Sequence, residues 1–459
     1  MKKIKVCSIV LCLFLLAGTF SVWAGGKSES QGDASKPVVV KVWGNDAHNK
    51  DQYMQIVDKF NKGEGAQKNI QIEYTVFGAD YWNMLDVALM ADEEADIFKS
   101  NPRTQQYVQM GKGLPLKELP NFADYMKEFA HLQSEGWTMI NGVEYNLPIY
   151  LGVFGMAYNK ALLARIGLTE PPKTWDEFEK ACIAIGKLDP GKTFGTAFPL
   201  KLVDFHDNYV VCSAAPSTGH FVFDSNTGKY KFTDLQPYFE TMLRIKAGGG
   251  MFPGIETLDD DTARAQFSEG NIGFLFSGSW NVGVFYDQFP AKMEWGVAPM
   301  PVQNLNNAYN GVAHVSTMFM VSSQAKKRNK LEQVATAYKL ITSRELLKLN
   351  YTMGKNIPAD PTIAVEAAPS NRPQWNSFAQ VGSTSVLKPT PPDSLIVIEG
   401  DNYYTVFSQI LSGVASPATA LVNLENRYND ALKKAVDGKK VDLNKYINTD
   451  IAGKFKIAK

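Results

Sequence analysis

Between residues 38 and 98, the hydrophobic residues change their spacing four times, alternating between the period of a strand and the period of a helix. A β-branched run from Val38 to Trp43 is followed by apolar residues at helical spacing in 53–60. Strict alternation in 70–76 predicts a second strand, helical spacing returns in 81–90, and Ile97-Phe98 forms a short third apolar run. This order is typical of α/β proteins with a mostly parallel sheet.

The ends of the predicted strands indicate where a ligand would bind. In open α/β sheets, ligands bind beyond the carboxyl ends of the strands. Two loops meet this condition: 44–46 after the first strand and 100–103 after the third. Asn45 and Asp46 are also candidates for capping the first helix, because short polar side chains accept hydrogen bonds from the first N–H groups of a helix.

Capping residues mark two helix starts later in the chain. Thr174 and Glu177 have the spacing of a capping box, and Ser416-Pro417 places a cap before a first-turn proline. The segment 186–193 matches the phosphate-binding string G-x-x-x-x-G-K-T, which requires a strand before it and a helix after it. Here a helix precedes the string and a strand pattern follows, so we interpret the match as an ordinary helix-to-strand turn.

The first 24 residues have the pattern of a Sec-type signal peptide. Three lysines precede an apolar run from Val6 to Phe20, and 22–24 resembles a cleavage site. We therefore expect a cleaved signal at 1–24, a flexible small and polar linker at 25–37, and a periplasmic or extracytoplasmic mature protein. An uncleaved anchor is the alternative, although the apolar run is short for a span of about 20 residues. Lipid anchoring is not expected, because Thr19 stands where a lipobox requires cysteine.

Charge and motifs argue against several classes of function. Lys and Arg number 47, as do Asp and Glu, and loss of the three signal-peptide lysines leaves a net charge of −3. We therefore expect no nucleic-acid partner. The five histidines lack metal-site spacing and no G-x-S-x-G string is present, so we expect no metal, no cofactor and no serine hydrolase. Cys182 and Cys212 remain after cleavage, and either a disulfide or two buried thiols fits their apolar surroundings.

Aromatic rings recur beside short polar residues at predicted turns. A sugar has an apolar C–H face that packs on a ring and hydroxyls that pair with polar side chains, so this combination suits a sugar site. The predicted ligand-binding residues at these turns are Trp43, Asn45, Asp46, Trp82, Trp280, Asn281, Asp401, Tyr403 and Tyr404. Asn101, Arg103 and Tyr150 complete the predicted set. Asp204 and Asp207 could serve a glycosidase as acid and base, but we interpret them as solvated carboxylates.

A series of short motifs follows one another through the chain. They are G-V-E-Y-N-L-P at 142–148, A-Y-N-K at 157–160, I-G-L at 166–168, P-K-T-W-D-E-F at 172–178, G-S-W at 278–280, W-G-V-A-P at 295–299 and L-S-G at 411–413. In this order they resemble the extracellular solute-binding proteins of bacterial ABC importers, in the sugar-binding branch that includes maltose-binding-like proteins. The resemblance covers essentially the whole mature chain.

The resemblance implies an α/β fold of the periplasmic-binding-protein type II kind, with two lobes around a central ligand cleft and a multi-segment hinge. We expect an N-terminal lobe of 38–150 plus 298–355 and a C-terminal lobe of 151–297 plus 356–459. The resemblance also implies contacts with the ligand for Asn45 or Asp46, Arg103, Trp280, Tyr403 and Tyr404, with Trp280 stacking on sugar. Lys99 stands where maltose-type members have an aromatic residue, which disfavours a maltodextrin ligand.

The sequence therefore predicts a monomeric, non-enzymatic substrate-binding component of an ABC importer. It would capture a mono- or oligosaccharide or a related polyol in the cleft and deliver it to the permease subunits. Two alternatives remain at this stage: a secreted glycoside hydrolase, and the same fold binding a non-sugar solute such as a glycerophosphodiester, a polyamine or a peptide. Product release from oligosaccharides would favour the first alternative, and a ligand screen by thermal shift would separate the solutes.

Overall fold

The computed structural model describes residues 36–447 except 79, 134, 203 and 306–310. The predicted signal peptide and all but the last two residues of the predicted linker lie outside the described residues. The strands are β1 (Val38–Gly44), β2 (Ile70–Val76), β3 (Ile97–Lys99), β4 (Met139–Ile140), β5 (Val143–Glu144), β6 (Tyr150–Asn159), β7 (Phe194–Thr196), β8 (Phe223–Asp224), β9 (Lys229–Tyr230), β10 (Ile272–Gly278), β11 (Trp295–Ala298), β12 (Val312–Val315), β13 (Phe319–Val321), β14 (Ile357–Pro358) and β15 (Val386–Leu387).

The helices connect these strands and cover the sheets. They are α1 (Lys50–Lys62), α2 (Glu64–Gln67), α3 (Tyr81–Ala91), α4 (Thr104–Gln109), α5 (Ala123–Lys127), α6 (Lys160–Arg165), α7 (Trp175–Gly186), α8 (Cys212–Thr218), α9 (Gln236–Ala247), α10 (Asp260–Ser268), α11 (Asn281–Gly283), α12 (Gln324–Lys327), α13 (Leu331–Ile341), α14 (Arg344–Thr352), α15 (Pro361–Glu366), α16 (Pro373–Ser383), α17 (Tyr403–Ser412) and α18 (Pro417–Asp437). Two π-helical segments, His206–Val211 and Val284–Gln288, lie beside α8 and α11.

A four-stranded sheet in the order β13-β3-β1-β2 confirms the alternation predicted for 38–98. β1 pairs in parallel with β2 and with β3, and only β13 runs antiparallel. The strict alternation of β2 buries Ile70, Ile72 and Tyr74 on one face of the sheet. Val40 and Val42 of β1 join the same hydrophobic cluster, which includes the apolar face of α1.

A seven-stranded mixed sheet has the ten-residue strand β6 at its centre. The first residues of β6 pair with β12 and β14, and its later residues pair with β10 and β11, all antiparallel. β7 and β15 add parallel pairs to β10 and β12. The assignment of residues to two lobes stays a prediction.

The helix starts predicted at Thr174 and at Ser416-Pro417 are both confirmed, although Ser416 makes no side-chain capping bond. Thr174 and Glu177 form both hydrogen bonds of the capping box that starts α7. The segment 186–193 is a turn that links the end of α7 to β7, and Thr193 Oγ1 donates to the carbonyl of Ile185 at 3.0 Å. The phosphate-binding interpretation therefore lacks its required strand-to-helix context. Cys182 and Cys212 are both buried free thiols.

The topology brings several chain ends to one place. The carboxyl ends of β1 and β3 lie side by side, with Trp43 paired to Phe98, and the start of β13 meets the end of β3, with Phe319 paired to Lys99. The residues just beyond these ends, 45–48, 100–102 and 316–317, therefore share one edge of the four-stranded sheet. This is the edge at which the sequence predicted a ligand.

Candidate functional site

A cavity of about 330 Å³ lies beyond this edge, between the four-stranded sheet and residues associated with β10 and β12. Its volume is near the lower end of the range of about 300–1,000 Å³ that is typical of small-molecule sites. The lining combines charged, amide, hydroxyl and aromatic side chains. It includes Asn45, Asp46, His48, Trp82, Lys99, Asn101, Trp137, Asp204, Asp207, Arg264, Trp280, His314, Ser316, Thr317 and Tyr404.

Asp46 and Lys99 form a largely buried ion pair at the ends of β1 and β3. Lys99 Nζ lies 2.6 Å from Asp46 Oδ1, and Thr317 Oγ1 donates to Asp46 Oδ2 at 2.8 Å. Burial raises the pKa of Asp46, but the Lys99 ammonium and the hydrogen bonds outweigh it and leave the pKa below its usual value. Asp46 is therefore a fixed, ionised acceptor in the cavity wall.

The prediction that Asn45 or Asp46 caps the first helix is wrong. The helical turn 47–49 follows Asp46, but neither this turn nor α1 has a side-chain capping bond. The Asp46 carboxylate binds Lys99 and Thr317 instead, and Thr317 lies 271 positions away in the sequence. Tertiary contacts thus redirect a side chain whose local sequence favoured a cap.

Two histidines of the lining are held neutral. Burial lowers the pKa of His48 to about 4. Burial, together with the Lys388 ammonium, lowers the pKa of His314 to about 3. A neutral imidazole carries one donor and one acceptor, so each ring can pair with either side of a hydroxyl group.

We expect the free energy of unfolding to respond to these depressed pKa values. An unfolded histidine has a pKa near 6.5, so between that pH and about pH 4 the unfolded chain binds more protons than the folded chain. The histidine contribution to stability should be fully present above about pH 6.5 and should decrease as the pH falls towards 4. Chemical denaturation at neutral pH and near pH 5 measures this change. His48→Gln and His314→Gln should each reduce the change in the free energy of unfolding between these two pH values. NMR signals of these two rings that titrate above pH 6 would contradict the prediction.

Asp207 reaches the cavity from the opposite wall and is supported by a buried lysine. Lys388, only 4% exposed, forms a short ion pair with Asp207, and the Tyr403 hydroxyl donates to Asp207 Oδ1 at 3.2 Å. Burial by itself lowers the pKa of Lys388, but the Asp207 carboxylate raises it above the usual value. Asp207 is thereby held as a charged acceptor facing the cavity.

The interpretation of Asp204 and Asp207 as solvated carboxylates is wrong. Both are half-buried and both line the cavity. Burial and the neighbouring Asp207 charge raise the pKa of Asp204 above its usual value. These residues lie at and just before the π-helical segment 206–211, whose wide turn the sequence pattern did not indicate.

Trp280 lies over two glycines that allow close approach of its ring. An added Cβ at Gly278 would lie 2.2–2.4 Å from three carbons of the indole, and one at Gly152 would lie 2.8 Å from Cζ3. Phe154 packs edge-on to the indole with ring centroids 5.8 Å apart. The glycines and Phe154 therefore fix the orientation of a ring that borders the cavity.

Gly278→Ala should displace the Trp280 ring, because the new methyl group would overlap it. We expect affinity for a cavity ligand to fall severalfold to tenfold, with a loss of about 1–3 kcal/mol in the free energy of unfolding from overpacking. Gly78→Ala is the matched control, since an added Cβ there meets nothing within 4 Å. Titration calorimetry and chemical denaturation measure the two effects. Unchanged affinity for Gly278→Ala would show that the position of the ring is unimportant for binding.

Three further rings border the cavity. The Arg103 guanidinium lies 5.0 Å from the ring centroid of Trp82 in a cation–π contact. Trp137 packs edge-on to His314, with ring centroids 6.1 Å apart. Tyr404 stacks on Tyr403, with centroids 4.3 Å apart and an interplanar angle of 24°. Flat apolar surfaces thus occur on more than one side of the polar groups.

Several polar atoms of the lining are buried without a hydrogen-bond partner among the residues that the structure describes. They are Asn45 Oδ1, His48 Nε2, Trp137 Nε1 and Ser316 Oγ. Leaving a buried polar group unpaired costs about 1–3 kcal/mol. Together they offer both donors and acceptors, which matches a ligand rich in hydroxyl groups.

Half of the predicted ligand-binding residues line this cavity: Asn45, Asp46, Trp82, Asn101, Trp280 and Tyr404. Of these, Asn101 uses its side-chain amide on the backbone. It donates to the Ser316 carbonyl and accepts from the Met318 N–H at 2.7 Å. Its contribution is to hold the segment before β13 against the loop after β3.

The other six predicted residues do not belong to this lining, and their contact with a ligand stays a prediction. Trp43 packs edge-on to Phe77, and Arg103 forms an ion pair with Asp86 at 2.6 Å behind Trp82. Tyr150 is fully buried and accepts from Asn350 Nδ2 at 2.6 Å.

The remaining three lie behind the lining or away from it. Asn281 is buried and accepts from Arg264 Nε at 3.0 Å. Tyr403 is buried beneath Tyr404, and Asp401 is exposed and accepts from Gln409. Asn281 and Tyr403 therefore contact lining residues and help to position them. The side-chain contact of Asp401 is with Gln409, which does not line the cavity.

Sequence reasoning missed Lys99, His48, Trp137, Arg264, His314 and Thr317. Lys99 is the last residue of β3, so the rule that selected 100–103 could have included it. Trp137 and His314 carry no local signal, because they meet across a sequence separation that no periodicity encodes.

The fold and the site together define a class of protein: an α/β protein with a cavity suited to a small polar solute. The chain matches the bacterial extracellular solute-binding protein family over residues 46–342. It belongs to this family, which indicates that it is exported. This result confirms the family and the fold expected from the motifs.

Individual relatives support the same assignment. The chain is 27% identical to a maltotriose-binding protein of Pyrococcus abyssi over 229 residues, which cover 48% of this chain and 45% of that protein. It is 22% identical to a galactooligosaccharide-binding protein of Bacillus subtilis over 96% of this chain and 100% of that one. Among solved structures, an ABC substrate-binding protein of Listeria monocytogenes in complex with cycloalternan has a TM-score of 0.65 at 18% identity and covers 86% of this chain and 99% of its own.

Two further features concern membrane-spanning helices and metal-binding side chains. Within 36–447, apart from the gaps stated above, no helix combines the length and apolarity needed to cross a bilayer. In the same residues, His, Cys, Asp and Glu do not form a group of three or more that could hold a metal ion.

Proposed function

We propose that this protein captures a sugar or a related polyol in the cavity and delivers it to the permease of an ABC importer. The observation that carries the proposal is the composition of the lining: indole and phenol rings beside fixed carboxylates and unpaired polar atoms. Rings pack on the C–H face of a sugar, and carboxylates, amides and imidazoles pair with its hydroxyls. The maltotriose- and galactooligosaccharide-binding relatives give independent support.

Binding in this proposal is non-covalent and shifts a hinge equilibrium. A ligand favours a closed form only by the difference between its affinities for the closed and open forms. A ligand that touches both walls of the cavity has such a difference, because some contacts are lost when the walls separate. The volume of about 330 Å³ favours a mono- or short oligosaccharide.

We also propose how the protein is exported and where the mature protein acts. Residues 1–24 are a cleaved signal peptide, 25–37 are a linker, and the mature protein acts as an unlipidated monomer beside the permease. The two lobes are 38–150 plus 298–355 and 151–297 plus 356–459. Mass spectrometry of the exported protein tests cleavage near Gly25 and the absence of lipid in one measurement.

The proposal assigns no catalytic step. The relatives are named as binding proteins, which supports this assignment. Asp207 is ion-paired to Lys388 and bound by Tyr403, an arrangement that suits a permanent acceptor. Incubation with oligosaccharides followed by product analysis tests the point, since released sugar would favour a hydrolase.

A thermal-shift screen tests the proposal itself. The panel contains neutral mono- and oligosaccharides, polyols, amines, peptides and glycerophosphodiesters. A bound ligand raises the unfolding midpoint because it stabilises the folded state by RT ln(1 + [L]/Kd). We expect a shift for at least one neutral sugar or polyol, whereas shifts confined to peptides or phosphodiesters would contradict the proposal.

A further inference from the structure

Carboxylates of the cavity wall are matched with cations in two places. Asp46 pairs with Lys99 at 2.6 Å, and Asp207 forms a short pair with Lys388. Lys388 is buried and Lys99 is half-buried, and each ammonium charge is balanced by its carboxylate, so neither pair presents a net positive charge to a ligand anion.

The guanidinium of the lining is occupied in the same way. Arg264 lies 2.7 Å from Asp260 and 3.1 Å from Asp261, and its Nε donates to Asn281 Oδ1 at 3.0 Å. All three nitrogen atoms of the group therefore have acceptors. The histidines of the lining, His48 and His314, add no positive charge at neutral pH.

Asp204 differs from these residues. It lines the same cavity, and within the described part of the chain no Lys, Arg or His forms an ion pair or a hydrogen bond with its side chain. The cations that act on it at longer range, Lys388, Lys99 and Arg103, are each paired with another carboxylate. Asp204 is thus a carboxylate of the lining without a paired cation in the described part of the chain, and it lies near the Asp207 charge, which together with burial raises its pKa.

We propose that Asp204 selects the ligand by charge, so that the cavity accepts neutral sugars and sugars that carry an amine but disfavours sugars that carry a carboxylate or a phosphate. This inference rests on the proposed function, because it concerns which sugars enter. A hydroxyl or ammonium group can donate to the free carboxylate in a charge-assisted hydrogen bond. A ligand anion would instead be buried beside a like charge, and the charge of each neighbouring cation is already balanced by a carboxylate. Glycerophosphodiesters are disfavoured for the same reason.

Two matched sets of sugars test this inference by titration calorimetry. They are glucose, glucosamine and glucuronate, and galactose, galactosamine and galacturonate. One of the two sets will bind the wild-type protein more tightly. Within that set, we expect the neutral or amino sugar to bind at least tenfold more tightly than the uronate. In Asp204→Asn the uronate should bind more tightly and the amino sugar less tightly. The ratio of the uronate dissociation constant to that of the neutral or amino sugar should therefore fall below about threefold. Asp430→Asn makes the same change in net charge at an exposed position outside the lining and should keep the wild-type ratio.

The outcomes separate this inference from the proposed function. Uronates that bind the wild type as tightly as neutral sugars, or an unchanged ratio in Asp204→Asn, would overturn charge selection while leaving sugar binding intact. The absence of any binding in all members of both sets, together with no shift in the thermal screen, would overturn sugar binding itself. If Asp204→Asn does not fold, as judged by circular dichroism, the wild-type ratio decides the matter.

Discussion

Trp280→Ala should weaken sugar binding by more than tenfold. The indole borders the cavity and is held flat over Gly278 and Gly152, so it is ordered before ligand arrives. A pre-ordered ring loses little conformational entropy when a sugar packs on it. Replacement by alanine removes the apolar surface and opens the cavity wall. Titration calorimetry with the best sugar from the thermal screen measures the effect.

Trp43→Ala is the matched control for this prediction. Trp43 is also half-buried, but it packs on Phe77 and lies outside the lining. Its replacement removes an indole of the same size, and an affinity within about twofold of wild type is expected if Trp43 acts only through its packing on Phe77. Equal losses in the two variants would attribute the effect to general destabilisation, and wild-type affinity in Trp280→Ala would remove this ring from the site.

Lys388→Met should lower the free energy of unfolding by about 3 kcal/mol. Breaking a buried ion pair by removing one partner costs about 3–5 kcal/mol, because the remaining charge is left uncompensated. We expect a value near the lower limit, since Asp207 keeps the Tyr403 hydroxyl and is 24% exposed to the cavity. Methionine retains most of the length and apolar volume of the lysine side chain, so packing changes little. Urea denaturation of wild type and variant gives the difference.

A double-mutant cycle distinguishes loss of the pair from loss of packing. Asp207→Asn combined with Lys388→Met should be less destabilised than the sum of the single variants by at least about 1 kcal/mol, because the second change removes the stranded charge. Lys433→Met breaks an exposed pair with Asp437 and serves as the control, for which we expect no measurable change. Strictly additive effects at 207 and 388 would show that the two charges do not depend on each other.

The elements that were predicted correctly have strong local signals. Strict alternation identified β2, and the capping box identified the start of α7, because each pattern is complete within a few residues. The mixed order of the second sheet could not be predicted in this way. It depends on β6 pairing with four other strands from distant parts of the chain, and no local period encodes such pairing.

The site was predicted where it follows the ends of parallel strands and missed where it depends on tertiary contacts. Asn45, Asp46 and Asn101 follow β1 and β3, so the general rule for open sheets located them. The ion pair of Asp207 with Lys388 joins residues far apart in sequence, and burial, which gives the pair its importance, is a property of the folded chain. Tyr150 and Asn281 were predicted as contact residues, and in the structure each uses its polar group on a neighbouring side chain, a tertiary contact that no local pattern indicates.

The central claim is that a sugar is held without chemical change in the cavity lined by Trp280 and Asp207. Calorimetric titration of a neutral oligosaccharide into the purified mature protein, followed by chromatography of the recovered ligand, tests it most directly. We predict saturable binding of one ligand per chain with a dissociation constant of micromolar order, about −8 kcal/mol, and recovery of the same sugar unaltered. Heat of binding that persists fully in a Trp280→Ala, Asp207→Asn double variant, or recovery of shortened sugar, would contradict the account.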